Sequence, residues 1–267
     1  MAIAIMYHDV VERGREDASG FPGVGAARYK LTPAEFLEHV DAIAPVLRGH
    51  PITVADLLAG SPDTASRLLW TFDDGGDSAH TPVADILERH GWRGHFFVTT
   101  GRIDTPGFLS TEQIRALHGR GHVIGSHSCT HPQRMSFCGR DELLREWKLS
   151  CEVLSGIVGE PVTVASVPGG YYSRTVAETA AEAGIKVLFN SEPTISPRTV
   201  HGCLVLGRYT IYRGTPASAA AALASGRAWP RLRQSLAWNL KKIAKAVGGR
   251  AYLSLRGRLL ARGREKE

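Results

Sequence analysis

The chain has 267 residues, 43% of them hydrophobic, 22% charged and 7% aromatic, a composition that supports a sizeable globular core and excludes disorder or a collagen-like repeat. The net charge of +6 is unevenly placed: from Trp229 to Glu267 eleven Lys and Arg stand against Glu265 and Glu267, whereas the rest holds 21 basic and 24 acidic residues. The excess positive charge therefore belongs to an appendage on a slightly acidic body, and no nucleic-acid recognition motif accompanies it.

No stretch approaches the ~18 to 20 apolar residues of a membrane span, and Met1–Tyr7 meets His8 and Asp9 before a signal-peptide core forms. A cytoplasmic address is the expectation. Cys129, Cys138, Cys151 and Cys203 contain no Cys-x-x-Cys pair and read as free thiols.

In chain order, Ala2–Tyr7 is an apolar run ending at His8. Thr32-Pro33-Ala34-Glu35 combines a capping box with proline at the first helical position, and apolar residues continue at helical spacing to about Leu47. Pro51–Val54 reads as a short strand and Arg67–Phe72 as a stronger one ending in Asp73-Asp74-Gly75-Gly76. Thr81–His90 reads as a helix stopped by Gly91, Gly94–Thr99 as a strand, and Ser110–Gln113 as a second capping box opening a helix to about His118. His122–Gly125 is the next strand, 141–158 a long helix, Thr163–Val167 a strand before Pro168-Gly169-Gly170, and Arg174–Ala183 a helix. Ile185–Phe189, Leu204–Leu206 and Tyr209–Tyr212 complete the strands.

This alternation implies parallel strands with helical crossovers, in an open doubly wound sheet or a (β/α) barrel. Strand number and length favour an irregular barrel of about seven or eight parallel strands over residues 1–228, followed by a basic amphipathic helical tail over 229–267. In such a barrel the polar residues after different strands, His8, Asp73, Asp74, His127 and Pro168-Gly169, converge on one face.

Each cluster has a plain structural alternative. Asp73 and Asp74 suit a cation ligand beside a free base if the chain bends between them, or else a solvated turn. His127 and His131, four apart after a strand, could join Asp74 in a His₂-carboxylate set, but His118 and His122 share that spacing at what reads as a helix end. Cys129 is a possible softer ligand or a small core residue. In the tail, Trp229, Leu232, Leu236, Leu240, Ile243 and Val247 share one helical face, suited to packing on the barrel or to an anionic membrane surface.

As an ordered set, Thr71-Phe72-Asp73-Asp74-Gly75, His127-Ser128-x-x-His131 and Val167-Pro168-Gly169-Gly170 resemble the first three motifs of the polysaccharide deacetylase family of carbohydrate esterases, over about residues 1–215. The resemblance implies Asp73 as general base and Asp74, His127 and His131 as ligands of a divalent cation, with zinc the first expectation and cobalt or nickel the alternatives. It implies a substrate and oxyanion wall near Gly169, Gly170 and Tyr171. The third motif departs from the family: Ser166 and Gly169 stand where an arginine and an aromatic are usual, and Arg208 is the candidate replacement for the arginine. The closing Leu-x-His-Asp motif has no counterpart after residue 200, whereas Met6-Tyr7-His8-Asp9 fits it at the N-terminus. This is similar to the circularly permuted branch that includes poly-N-acetylglucosamine deacetylases, with His8 as the acid and Asp9 orienting it.

The implied activity is hydrolysis of the acetyl group from an N-acetylated sugar in a polysaccharide or lipid-linked glycan, at the inner membrane face if the tail binds anionic lipid. The competing readings are a catalytically silent carbohydrate-binding barrel and, behind it, a basic nucleic-acid-binding protein.

Overall fold

The computed structural model describes residues 2–60 and 67–240, so the expectations for Ile243, Val247 and the rest of 241–267 lie outside the described residues. Nine strands form one sheet: β1 Ile3–Tyr7, β2 Leu68–Phe72, β3 Gly94–Val98, β4 Val123–Ser126, β5 Val164–Ser166, β6 Val187–Phe189, β7 Arg198–Val200, β8 Cys203–Leu206 and β9 Tyr209–Thr210. Their order is β7-β8-β6-β5-β4-β3-β2-β1-β9, and every neighbouring pair is parallel except β7 with β8. The helices are α1 Val24–Ala27, α2 Pro33–Ile43, α3 Val54–Ala59, α4 Asp85–Glu88, α5 Thr111–Gly119, α6 Arg140–Val158, α7 Arg174–Glu182, α8 Ala217–Ala224 and α9 over 228–240. No helix among the described residues is long and apolar enough to cross a membrane.

The parallel barrel architecture is the one expected, but hydrogen bonding does not close it. The ladder ends at β9 on one side and at β7, paired to β8, on the other. Closure comes from the chain itself. Leu206 ends β8 and Tyr209 begins β9, so Gly207 and Arg208 alone link strands near opposite ends of the order, whose Cα atoms are at most about 11 Å apart. That short link forces the sheet to curl until its two ends face each other across a seam.

The central strands are buried along their length, which is why Leu68–Phe72 and Gly94–Val98 read as continuous apolar runs rather than alternating ones. Tyr7 stacks on Trp70 and Phe72 at 5.5 and 5.7 Å between ring centroids, and Phe72 on Phe96 at 5.1 Å. Helix α2 carries both halves of its capping box between Thr32 and Glu35, and buries Phe36, His39, Val40 and Ile43.

Two expectations are amended and one strand is added. Pro51–Val54 is not a strand: Thr53 and Asp56 form a capping box that opens α3, with aspartate in the place usually scanned for Glu or Gln. The helix expected over 81–90 is present but kinked and shorter: His80–Ala84 is an irregular helical segment running into α4, and Thr81, which precedes Pro82, takes extended geometry (φ −147°, ψ 122°). Strand β7 was not anticipated; it folds back on β8 through His201 and Gly202, both at positive φ, the geometry a two-residue hairpin turn requires.

At Gly125 in β4 the packing tolerates no side chain, since a Cβ there would lie 2.6 Å from Phe97 Cδ1 and 2.9 Å from the Val164 carbonyl oxygen. Gly125→Ala is expected to destabilise the protein by about 1–3 kcal/mol through overpacking, read as a lower urea midpoint.

Candidate active-site cleft and metal centre

The strand register places the candidate residues side by side. Tyr7 pairs with Phe72, and the Asp73 N–H donates to the Tyr7 carbonyl at 3.1 Å, so His8 and Asp73 leave adjacent strand ends together. Asp74 then takes φ 76°, a left-handed conformation uncommon outside glycine but accessible to aspartate. This is the bend needed to turn both carboxylates toward the mouth, instead of to opposite faces of an extended strand. Ser128 and His131 adopt φ 64° and 57° on the facing loop.

His127 Nε2 and His131 Nε2 lie 3.4 and 3.5 Å from the same oxygen, Asp74 Oδ1. The three donor atoms are all within 4.8 Å of one another, and they form the one such group among the described residues. The chemistry of the set fits a divalent cation. His127 Nδ1 faces the Ser166 carbonyl oxygen at 3.2 Å and Ser166 Oγ at 2.6 Å; a carbonyl only accepts, so Nδ1 carries a proton, and in the neutral imidazole that a cation requires the lone pair is on Nε2. Burial pushes the Asp74 carboxyl up, but the facing imidazoles of His127 and His131 outweigh it and hold the group well below the usual carboxylate range. Cys129 is not in the set. The identically spaced His118 and His122 are structural: His122 accepts from the Gly94 N–H and pairs with Glu88, and His118 faces Glu160.

Asp73 is held quite differently. Arg208 Nη1 and Nη2 donate to its Oδ1 and Oδ2, each at 2.7 Å, and Ser166 Oγ donates to Oδ1 at 3.0 Å. Arg208 is fully buried at the seam, its Nε bonded to the Asn190 carbonyl. It reaches the carboxylate that the third motif leaves without its usual arginine. Ser166, in that arginine's place, links the Asp73 carboxylate to the His127 imidazole through one hydroxyl. Burial raises the Asp73 carboxyl and the charges of Arg208 and His127 reverse the effect, so its pKa is lowered overall.

His8 lines the same cleft, stacked near Tyr29 at 4.5 Å, and its buried Nδ1 has no hydrogen-bond partner. Burial lowers its pKa, against the upward pull of the Asp74 and Asp73 carboxylates. Asp9 does not orient it. Asp9 Oδ1 instead accepts from Ser19 Oγ at 2.6 Å and Ser78 Oγ at 2.9 Å. The carboxylate is enclosed by Gly20 and Gly76, where any Cβ would collide with it. Asp9 thus ties the 12–23 loop to the turn after Asp74.

The cleft, about 230 Å³, is lined by His8, Asp73, Asp74, His127 and His131 together with Gly169, Gly170, Phe21, Tyr29, Tyr212 and Trp238. Gly169 and Gly170 both have positive φ, and a Cβ on Gly170 would lie 2.9 Å from Ser191 Oγ and 3.5 Å from the Trp238 ring. The Tyr171 ring packs beside Gly169, where a Cβ would lie 3.5 Å from its Cδ2, and beneath the Arg134 guanidinium at 6.0 Å.

Several supporting residues escaped the sequence reading. Glu146 accepts from the Cys129 and Thr130 N–H groups and from Thr130 Oγ1, fixing the His127–His131 loop. Its signal was available: Glu146 falls on the buried face of α6 with Leu143, Trp147 and Leu154. Buried Lys30 donates to the carbonyls of Glu16, Ser19 and Phe21, shaping the loop that sets Phe21 4.5 Å from the His131 ring. Trp238 comes from α9, beyond the expected end of the barrel at 228.

Fold and site together define a (β/α)-barrel protein with an Asp-His-His donor set and an arginine-clamped carboxylate at the carboxyl ends of its strands. Residues 60–188 match the model of the polysaccharide deacetylase family. A peptidoglycan-N-acetylglucosamine deacetylase of Bacillus cereus is 31% identical over 134 residues, covering 48% of this chain and 57% of that protein. The chain thus spans about half the length of the curated relatives it matches. Among solved structures, the Streptococcus pyogenes deacetylase PplD superposes with a TM-score of 0.68 at 19% identity, covering 85% of this chain and 98% of that one. IcaB from Ammonifex degensii gives 0.63 at 20% identity, covering 85% and 97%. Both share the fold.

Two measurements follow from this geometry. One equivalent of zinc per chain is expected by calorimetric titration, and His127→Ala combined with His131→Ala should abolish it; undiminished stoichiometry would assign the cation elsewhere. Burial raises the Asp9 carboxyl from 3.8 to about 6. Its protonated form therefore favours the folded state, a contribution present in full below the unfolded value and lost as pH rises through about 6, worth roughly 3 kcal/mol for a shift of this size. Asp9→Asn stays neutral, so wild-type stability should decline relative to this variant between pH 4 and 7 in paired urea unfolding curves.

Proposed function

We propose that the chain is a metal-dependent hydrolase that removes the acetyl group from an N-acetylated sugar of a polysaccharide or lipid-linked glycan. The observation that carries this reading is the double Arg208–Asp73 contact beside the Asp74, His127 and His131 set: in this reading Asp74 holds a cation with the two histidines and its chain neighbour acts as a base. A divalent cation in that set, zinc first and cobalt or nickel as alternatives, would supply Lewis acidity toward the acetyl carbonyl and the attacking water.

The protein's own groups do the proton chemistry. Arg208 and Ser166 fix the plane of the Asp73 carboxylate and keep it ionised, so that a remaining lone pair accepts a proton from the water as it adds to the amide carbon. The Gly169–Gly170 turn, free of Cβ atoms, lets the acetyl group approach that wall closely. When the C–N bond breaks, His8 supplies the proton that the departing amine requires. Burial makes its imidazolium a stronger acid than usual; the proton taken up by Asp73 is then released and one returns to His8 through solvent, so both groups end as they began. Acetate and a free amino sugar result.

The family match over 60–188 and the relative named for peptidoglycan N-acetylglucosamine support an acetamido sugar as substrate. Against a catalytically silent barrel, the Arg208 contact supports the hydrolase reading, since it supplies Asp73 with the guanidinium that the third motif lacks.

Acetate release from chitooligosaccharides and peptidoglycan fragments by zinc-loaded protein tests the reading. Asp73→Asn should lower turnover by about 10² to 10⁴-fold, the span typical of a positioned proton-transfer group, while retaining zinc. Wild-type release from this variant would sink the assignment. Arg208→Met removes the charge that lowers the Asp73 pKa, so the acid limb of kcat/KM should move to higher pH.

A further inference from the structure

Helix α9 spans the seam of the barrel. Gln234 Oε1 accepts from the Thr210 N–H at 3.2 Å and its Nε2 donates to the Thr210 carbonyl at 2.9 Å, so that this side chain occupies the free edge of β9 as a further strand would. Ser235 Oγ donates to the Pro193 carbonyl on the other side of the gap, at 2.6 Å, and Trp238 enters the cleft wall. The opposite face carries Trp229, Leu232, Leu236 and Leu240, which are 75%, 54%, 62% and 67% exposed. At 100° per residue these four fall within one arc of about 80°, and Gln234, Ser235 and Trp238 project the other way. The helix is thus held to the mouth of the cleft by one side and offers a continuous apolar stripe on the other.

Charge indicates what meets that stripe. Between Glu192 and Glu265 the sequence has fourteen Lys and Arg and no acidic residue; Arg227, Arg231 and Arg233 lie at or on α9 itself. An apolar stripe with a tryptophan at its end, set in a segment of exclusively positive charge, matches an anionic lipid surface: the ring and leucines enter the headgroup boundary and the cations stay among phosphates. We propose that α9 docks the protein on an anionic bilayer surface, with the active-site cleft held beside the lipid by Gln234, Ser235 and Trp238. The proposal does not depend on the chemistry performed in the cleft.

Flotation of the full chain with vesicles of phosphatidylcholine and phosphatidylglycerol in a three-to-one ratio tests it, with pure phosphatidylcholine vesicles as comparison. The wild type should float with the mixed vesicles, lose most binding in high salt, and remain unbound with phosphatidylcholine. Leu232→Asp combined with Leu236→Asp should weaken binding by about tenfold or more. Both side chains are exposed, so the thermal unfolding midpoint should be unchanged, and that midpoint separates lost binding from misfolding. Equal flotation of variant and wild type would overturn the proposal, as would an absence of wild-type flotation. A lipid-independent dimer dispersed by the same two substitutions would assign the stripe to a second copy of the chain instead.

Discussion

The buried contact between Arg208 and Asp73 joins the architecture to the candidate chemistry. Arg208 lies in the two-residue link between β8 and β9, so its backbone position is set by the closure of the sheet, and its guanidinium reaches the end of β2 inside the barrel. Neither charge is solvated there, and leaving either one alone in such a place costs several kcal/mol. The pair is satisfied by further hydrogen bonds from Arg208 to the Asn190 carbonyl and from Ser166 to Asp73. Curling the sheet and ionising Asp73 are therefore coupled: a wider seam would withdraw the arginine, and without it burial alone would raise the carboxyl.

The Asp74, His127 and His131 donor set depends on a second group of constraints, all of them on loops. Asp74, Ser128 and His131 sit in left-handed conformations that non-glycine residues adopt only when their surroundings enforce them. Glu146 supplies that enforcement for the His127–His131 loop by taking two backbone N–H groups and a hydroxyl. Asp9, Ser19 and Ser78 supply it after Asp74, and Lys30 gathers three carbonyls of the loop bearing Phe21. The three donor atoms are thereby positioned by the fold itself, with the His127 Nδ1 proton held by Ser166.

The arrangement also brings the Met6–Asp9 segment, at the start of the chain, beside the other candidate residues. Strand β1 pairs with β2 on one side and with β9, the last strand, on the other. The residue after β1 therefore projects where the residue after a final strand would project in an unpermuted barrel. The two departures in the third motif have compensations from distant segments: Arg208 supplies the guanidinium absent at Ser166, and Trp238 of α9 lies against the Gly169–Gly170 turn where an aromatic is absent.

Strand-end position was legible in the sequence because fully buried parallel strands are uninterrupted apolar runs, and polar residues immediately after them mark the mouth. That rule alone singled out His8, Asp73, Asp74, His127 and the 168–170 turn, and capping boxes at Thr32 and Ser110 fixed two helices by local hydrogen bonding. The helix at Val54–Ala59 was hidden by an aspartate cap, and β7 by a strand too short to show a period. What tertiary structure decided was every relation between segments distant in sequence: that Arg208 meets Asp73, that Asp9 binds two serines rather than His8, and that Trp238 turns into the cleft wall. Residue type and spacing along the chain determine which groups are available at a strand end. Which of them meet is decided by the curvature of the sheet and by the buried hydrogen bonds that hold the loops, and neither leaves a periodic trace in sequence.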